Sequence, residues 1–319
     1  MKKIFKQLVL ITTMGALAVS LAGCSNSVNP ASSKATEATT TPQQEARVNE
    51  KFTIAYLPNE STEQNADTRK GMAEDLSKAL GMEVVEYQAS DYSAVVEGMR
   101  TGKIDMAYFG PLSFCMAYQR ANAEPIGMKA IGGDKANATY KSVFIVKTDS
   151  DIQDITDFKG RTIAFVDPES TSGNLVPTYE IMKAYPNEKL DMDILHTNGK
   201  FFEAVSYSGK HQAGLQAVLK GDVDIAPISD KILGQEIANG NAPKDGVRIV
   251  YESAPIPAEP MAIRGDLPKE LKDKVKDFML SYDNEKYFED VIGDTTARFV
   301  PCTIDDYQDI IDLDKKLNK

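Results

Sequence analysis

The sequence predicts an α/β protein of two lobes, each a mainly parallel sheet flanked by helices, with the chain crossing between the lobes twice on a two-strand hinge. Three observations predict it. An internal repeat runs through the chain, β-rich runs alternate with helical ones, and about 270 residues remain after a polar N-terminal stretch, a length that suits two cores better than one.

The repeat begins with Thr53-Ile54-Ala55-Tyr56-Leu57 followed by Glu60-Ser61-Thr62. It is matched 109 residues later by Thr162-Ile163-Ala164-Phe165-Val166 followed by Glu169-Ser170-Thr171. Each copy reads as a strand, a proline-containing turn, and a Ser/Thr pair able to cap the next helix. A second pair follows in the same order, Gly102-Lys103-Ile104-Asp105-Met106-Ala107 answering Gly221-Asp222-Val223-Asp224-Ile225-Ala226. Upstream of it, Val96 with Met99 and Leu215 with Val218 are spaced for one helical face, and a glycine ends each helix.

Strands that alternate with helices favour parallel pairing, and ligands in such sheets lie beyond the carboxyl ends of the strands, where helices start. A cleft between two lobes of this design is therefore ringed by helix N-termini. The β-rich runs Lys141–Val146 and Val247–Tyr251 flank the second copy and read as the crossing strands. This sets the first lobe at 51–142 plus 250–319 and the second at 143–249, with two extended connections as a natural hinge.

The first 23 residues read as a signal peptide: Lys2, Lys3 and Lys6, an apolar run from Leu8 to Leu21, then Leu21-Ala22-Gly23-Cys24. Thr12, Thr13, Gly15 and Ser20 interrupt that run, which falls short of the ~20 apolar residues of a membrane span. The ending resembles the bacterial lipobox, which implies a diacylated Cys24 as the first residue of a protein held outside the cytoplasm on the membrane. A plain signal peptide with a chance cysteine is the alternative. Residues 24–50 have almost no large apolar side chain and read as a tether.

Removing the three leader lysines takes the formal charge from −11 to −14. Such an acidic chain argues against nucleic acid or an anionic membrane face as partner, but not against a small anion, because local dipoles decide a buried site. Cys115 and Cys302 lack metal-type spacing and form either one disulfide or two buried free thiols. His196 and His211 have no neighbouring ligands, so no metal and no cofactor is expected.

The segment Asp167-Pro168-Glu169-Ser170-Thr171-Ser172-Gly173-Asn174 joins a buried strand to a helical stretch. Three consecutive hydroxyls at a helix start combine O–H donors, unsatisfied backbone N–H groups and the positive end of the dipole, a combination that binds an oxyanion without lysine or arginine. A simple Ser/Thr cap is the plainer reading of the same residues.

That segment, together with Asp91-Tyr92, Gly102 to Ala107, Tyr108-Phe109-Gly110-Pro111-Leu112-Ser113, His211 and Ile256-Pro257-Ala258-Glu259-Pro260, resembles the periplasmic phosphonate/phosphite-binding proteins of ABC importers. The resemblance covers nearly all of the chain beyond the tether. It implies a type II periplasmic-binding-protein fold that closes on its ligand without catalysis, and a monomer that hands the ligand to an importer permease. It also implies a phosphonyl group held by Ser170, Thr171 and Ser172, with Tyr92, Tyr140 and His211 adding donors. Tyr108-Phe109 stands where close relatives have Trp-Tyr, so Tyr108 and Phe109 are placed at the ligand less firmly than in the packing.

Asp230 and Glu259 fall where relatives place carboxylates toward a ligand's amino group. Two acids beside an anion repel it unless one meets a cation or a protonated oxygen. The readings left open are an aminoalkylphosphonate, a ligand that donates a P–OH, and carboxylates of the surface or hinge; phosphite, phosphate or another small oxyanion stays open with them. A hydrolase built from Ser170, His211 and Asp230 lacks the Gly-x-Ser-x-Gly signature.

Overall fold

The computed structural model describes residues 50–318; the leader, Cys24 and the tether up to residue 49 lie outside the described residues. The chain opens with β1 (Phe52–Tyr56), α1 (Ala66–Leu80), β2 (Val84–Tyr87), α2 (Tyr92–Arg100), β3 (Met106–Tyr108), α3 (Pro111–Ala121) and β4 (Ala123–Ala130). It then passes through β5 (Thr139–Tyr140) into β6 (Ser142–Lys147), β7 (Thr162–Phe165), α4 (Val176–Ala184), α5 (Met192–His196), β8 (Ala204–Tyr207), α6 (His211–Lys220), β9 (Ile225–Ser229), α7 (Asp230–Ala238) and β10 (Val247–Glu252). It returns through β11 (Ile256–Pro257) to β12 (Pro260–Arg264), α8 (Lys269–Ser281), α9 (Glu285–Tyr287), β13 (Arg298–Val300) and α10 (Gln308–Leu317).

Two open sheets result, in the orders β13-β4-β12-β3-β1-β2 and β10-β6-β9-β7-β8. The repeat is visible in them: β2, β1 and β3 of one sheet occupy the places of β8, β7 and β9 in the other, and these strands are parallel. The remaining strands pair antiparallel, so each sheet is parallel only in that half. The reason is where the chain enters. β6 and β12 start at the cleft, next to Tyr140 and Glu259, and must run away from it, whereas the parallel strands run toward it and deliver their loops there.

The crossing differs from the expectation. The runs read from sequence as crossing strands both belong to the second sheet, where β10 pairs with β6 as far as Glu252↔Val143. The crossing itself is made by β5 and β11, which form a short antiparallel ladder, Ile256↔Tyr140 and Pro257↔Thr139. Two hydrogen-bonded extended segments of this kind can bend together without unpairing either sheet.

Period-two alternation places the cores. In β1, Phe52, Ile54 and Tyr56 face one apolar cluster while Ala55 and Leu57 face another; in β3, Met106 and Tyr108 join the first, Ala107 and Phe109 the second. Val166, Leu175 and Val176 of the second lobe pack into the cluster that holds Ala55 and Phe109, so the lobes share apolar contact beside the cleft.

The two repeat signals prove to be one device. The Asp105 carboxylate accepts from the Thr53 amide at 2.8 Å, and Asp224 accepts from the Thr162 amide at 2.8 Å, tying the first strand of each unit to the turn before its third. In one respect the copies differ. The helix after β1 starts only at Ala66, with Asn65 at its head, so Ser61 and Thr62 do not cap it. In the second copy Ser170 is the cap and accepts from the Gly173 amide at 3.1 Å.

Gly173 sits in a wide π-type turn, Thr171–Leu175, laid against the end of β7. A Cβ there would lie 2.4 Å from Val166 Cβ, a contact no rotamer relieves. Gly173→Ala is expected to cost about 1–3 kcal/mol of stability, read as a lower denaturant midpoint; an unchanged midpoint would mean the turn relaxes freely.

Candidate functional site

Four helical segments begin at one enclosed cavity. Tyr92 opens α2, Gly110 precedes Pro111 at the head of α3, Ser170 to Ser172 start the run that continues as α4, and His211 opens α6. Their dipoles direct positive ends inward, and side chains already accept from the Ala94, Leu112 and Gly173 amides in three of these first turns. The cavity is small, about 20 Å³, far below the range of about 300–1,000 Å³ usual for drug-sized pockets. Its wall is closed: Ser170, Thr171 and Ser172 are each 2% exposed.

The hydroxyls are oriented. Thr171 Oγ1 accepts from the Leu112 amide of the opposite lobe at 2.8 Å, and Ser170 Oγ accepts from the Gly173 amide. A hydroxyl has one proton and two lone pairs; with one lone pair engaged by an amide, the proton is left for acceptors at the cavity wall, and Tyr92 lies within hydrogen-bond reach of Ser170. The Ser172 carbonyl takes the Ser142 hydroxyl at 2.7 Å, which fixes the turn from behind. Tyr140 lies beside the Ser172 and Thr171 hydroxyls, and burial holds its phenol well above the usual range.

His211 presents a donor. Its Nδ1 accepts from the Ser229 amide at 3.2 Å, so the proton of a neutral ring resides on Nε2. Burial, helped by the ammonium of Lys129, pushes its pKa down to about 3 and keeps the ring neutral. Tyr92 departs from the expected donor role. Its hydroxyl proton goes to Asn59 Oδ1 at 2.6 Å, so toward the cavity it presents a lone pair.

Acidic groups share the wall. Glu259 Oε2 lies 2.8 Å from the Lys129 ammonium, both side chains 10% exposed. Burial pushes Glu60 up to about 7 against the pull of Lys129, and its Oε1 accepts from Asn59 Nδ2 at 2.7 Å. For Lys129, burial lowers the pKa, but Glu259 and Glu60 outweigh it and the net shift is upward.

Of the residues singled out in the sequence, Ser170, Thr171, Ser172, Tyr92, Tyr140, His211 and Glu259 line this cavity. Tyr108 and Asp230 do not. Tyr108 is on the other face of β3, packed edge-on against Tyr56 and Phe299, and its neighbour Phe109 takes the cavity side. Asp230 Oδ1 accepts from the Lys141 amide at 2.8 Å beside the hinge. The Ser170, His211, Asp230 combination is therefore not a triad: His211 Nδ1 is an acceptor for a backbone amide instead of a donor to a carboxylate. Cys115 and Cys302 are free buried thiols, pushed up to about 12 by burial, on either side of Tyr307.

Residues 54–307 match the family model described as ABC transporter, phosphonate, periplasmic substrate-binding protein. The chain belongs to this family. Over 246 residues it is 31% identical to the phosphate-import protein PhnD of Mycolicibacterium smegmatis, covering 76% of this chain and 74% of that one. It is 27% identical over 262 residues to a probable ABC transporter phosphite binding protein, PhnD1, of Prochlorococcus marinus, covering 77% and 83%. The solved structure of PhnD1 from Prochlorococcus marinus in complex with methylphosphonate has a TM-score of 0.72 at 22% identity, covering 85% of this chain and 99% of that one. The fold is thus the two-lobed type II fold of periplasmic binding proteins.

Within this family member, the sequence did not single out Asn59, Glu60 and Gly110 in the wall or Lys129 behind it, and it offered Phe109 only alongside Tyr108. A signal for Glu60 existed, since the repeat aligns it with Glu169, next to Ser170. In nitrogen-detected NMR, His211 is expected to show a neutral ring protonated on Nε2 with no titration from about pH 8 to pH 5; a titration midpoint near 6.5 would contradict the buried, amide-bound placement.

Proposed function

We propose that this chain is a monomeric, lipid-anchored extracytoplasmic protein that captures a small phosphorus oxyanion, a phosphonate first, and delivers it to the permease of an ABC importer. The reading is carried by one observation: four helix starts and the hydroxyls of Ser170, Thr171 and Ser172 converge on one small closed cavity. Tetrahedral oxygens fit such donors, which replace the hydration shell of the anion. Ligand entering the open cleft stabilises closure because both lobes contribute to the wall.

Phosphite and phosphate form a second reading within the same class. It is favoured by the acidic groups, because Asp230 is turned to the hinge and Glu259 already has the Lys129 ammonium as its cation. A ligand without its own amino group leaves neither Asp230 nor Glu259 in need of one. The relatives' binding role, the hydrogen bonding of His211 and the small cavity all speak against catalysis. Lipid anchoring rests on Cys24, which lies outside the described residues.

Calorimetric titration with methylphosphonate, aminoethylphosphonate, phosphite, phosphate and sulfate is expected to give micromolar or tighter binding, about −8 kcal/mol or better, for at least one phosphorus anion. Thr171→Val removes a cavity donor and leaves the buried Leu112 amide unpaired. It should weaken that binding by about 10- to 100-fold with little change in secondary structure; full affinity in the variant would refute the assignment. Cys24→Ser expressed in a bacterium should move the protein from the membrane fraction to the soluble or secreted one, and retention on the membrane would count against acylation.

A further inference from the structure

Glu60 is a cavity residue that no hydroxyl-based account of anion binding uses. Its Oε1 is engaged by Asn59 Nδ2, and that amide is itself oriented, because Asn59 Oδ1 takes the Tyr92 hydroxyl and the Asn59 carbonyl takes Gln212 Nε2 from the other lobe at 3.0 Å. The Glu60 carbonyl is held by Asn65 at 2.9 Å. The carboxyl is thereby fixed at the wall, with no donor to Oε2 among the described residues.

We propose that Glu60 reads the ligand's proton, so that the bound complex holds one proton shared between the Glu60 carboxyl and an oxygen of the phosphorus oxyanion. This deepens the phosphorus-oxyanion reading above and rests on it. The charges that face Glu60 require it. From β4, Lys129 faces Glu60; from the segment before β12, Glu259 does; from α1, Arg69 does, with its guanidinium forked onto Glu86. His211 from α6 and the phenols of Tyr92, Tyr108 and Tyr287 are neutral. Lys129 balances Glu259, so an ionised Glu60 would face the incoming anion uncompensated.

A proton on either partner removes that repulsion and makes a charge-assisted O–H···O bond. Whether it is written on the glutamate or as P–OH, the stoichiometry is the same. Burial already brings Glu60 up to about 7, so the proton is available near neutrality. Phosphonate, phosphite and phosphate monoanions bring this proton themselves. Sulfate and alkylsulfonates do not, and must draw it from Glu60.

The test is calorimetry of the full-length mature protein with methylphosphonate at about pH 9, repeated in buffers of different ionisation enthalpy. Wild type is expected to take up about one proton per ligand bound, and its Kd to rise about tenfold per pH unit above about pH 8. Glu60→Gln keeps the bond to Asn59 and offers the anion an N–H without a titrating proton. Its uptake should fall toward zero, its Kd should flatten with pH, and its affinity for sulfate should exceed that of wild type. Tight methylphosphonate binding by wild type without proton uptake overturns the role of Glu60 alone, as does unchanged uptake in the variant. Failure of wild type to bind any phosphorus oxyanion overturns the underlying reading with it.

Discussion

The hydrogen bond from the Leu112 amide to Thr171 Oγ1 joins the head of α3 in one lobe to the hydroxyl turn of the other. It links the two lobes across the cleft and occupies one lone pair of the Thr171 hydroxyl. The apolar contact of Val166, Leu175 and Val176 with the first lobe's cluster also favours closure, but that contribution has no direction. Direction comes from the polar links, this one and Gln212 to the Asn59 carbonyl. They close the wall around the hydroxyls of Ser170, Thr171 and Ser172. A buried donor without a partner costs about 1–3 kcal/mol, so closure around a filled cavity and closure around an unfilled one differ by several such terms.

An acidic chain can hold an anion because its surface charges act over a short range. At physiological salt exposed charges are screened beyond ~8 Å, whereas the cavity lies behind a closed wall. What counts there is local. Lys129 and Glu259 cancel each other, the four helix ends contribute partial positive charge, and Glu60 is the remaining group able to change the balance. Two unit charges about 4 Å apart interact by ~4 kcal/mol at an effective dielectric of 20, enough for the state of one carboxyl to govern affinity.

How much of this was legible in the chain follows from which interactions are local. The repeat was legible because each copy keeps the Asp that accepts from its own Thr amide, a constraint that fixes residue types at set positions. The hydroxyl run was legible because capping is decided within a few residues. Tyr108 was misplaced by one position, since which parity of a strand end faces a cleft depends on the layers packed above and below it. Asp230 was misplaced because its partner, the Lys141 amide, is brought to it only when β6 pairs with β9. The Lys129 to Glu259 pair spans the whole second lobe in sequence and leaves no trace in either segment. The mixed sheets have a similar origin: parallel pairing follows from alternating elements, but the direction of β6 and β12 is set by the hinge they emerge from.

The two copies of the repeat also show how one local design yields opposite polarities across a cleft. After β7 the helix starts at once, so Ser170 and Thr171 sit at its head with protons to donate. After β1 the start is delayed to Ala66, the Ser61 hydroxyl turns back to the Leu57 carbonyl at 3.3 Å, and the residue left facing the cavity is Glu60. Its counterpart Glu169 is drawn away toward Arg120, 3.9 Å from it. The hydroxyl turn therefore donates where the matching segment of the other copy presents a carboxyl. The difference between the two copies arises from where the helix begins after each first strand.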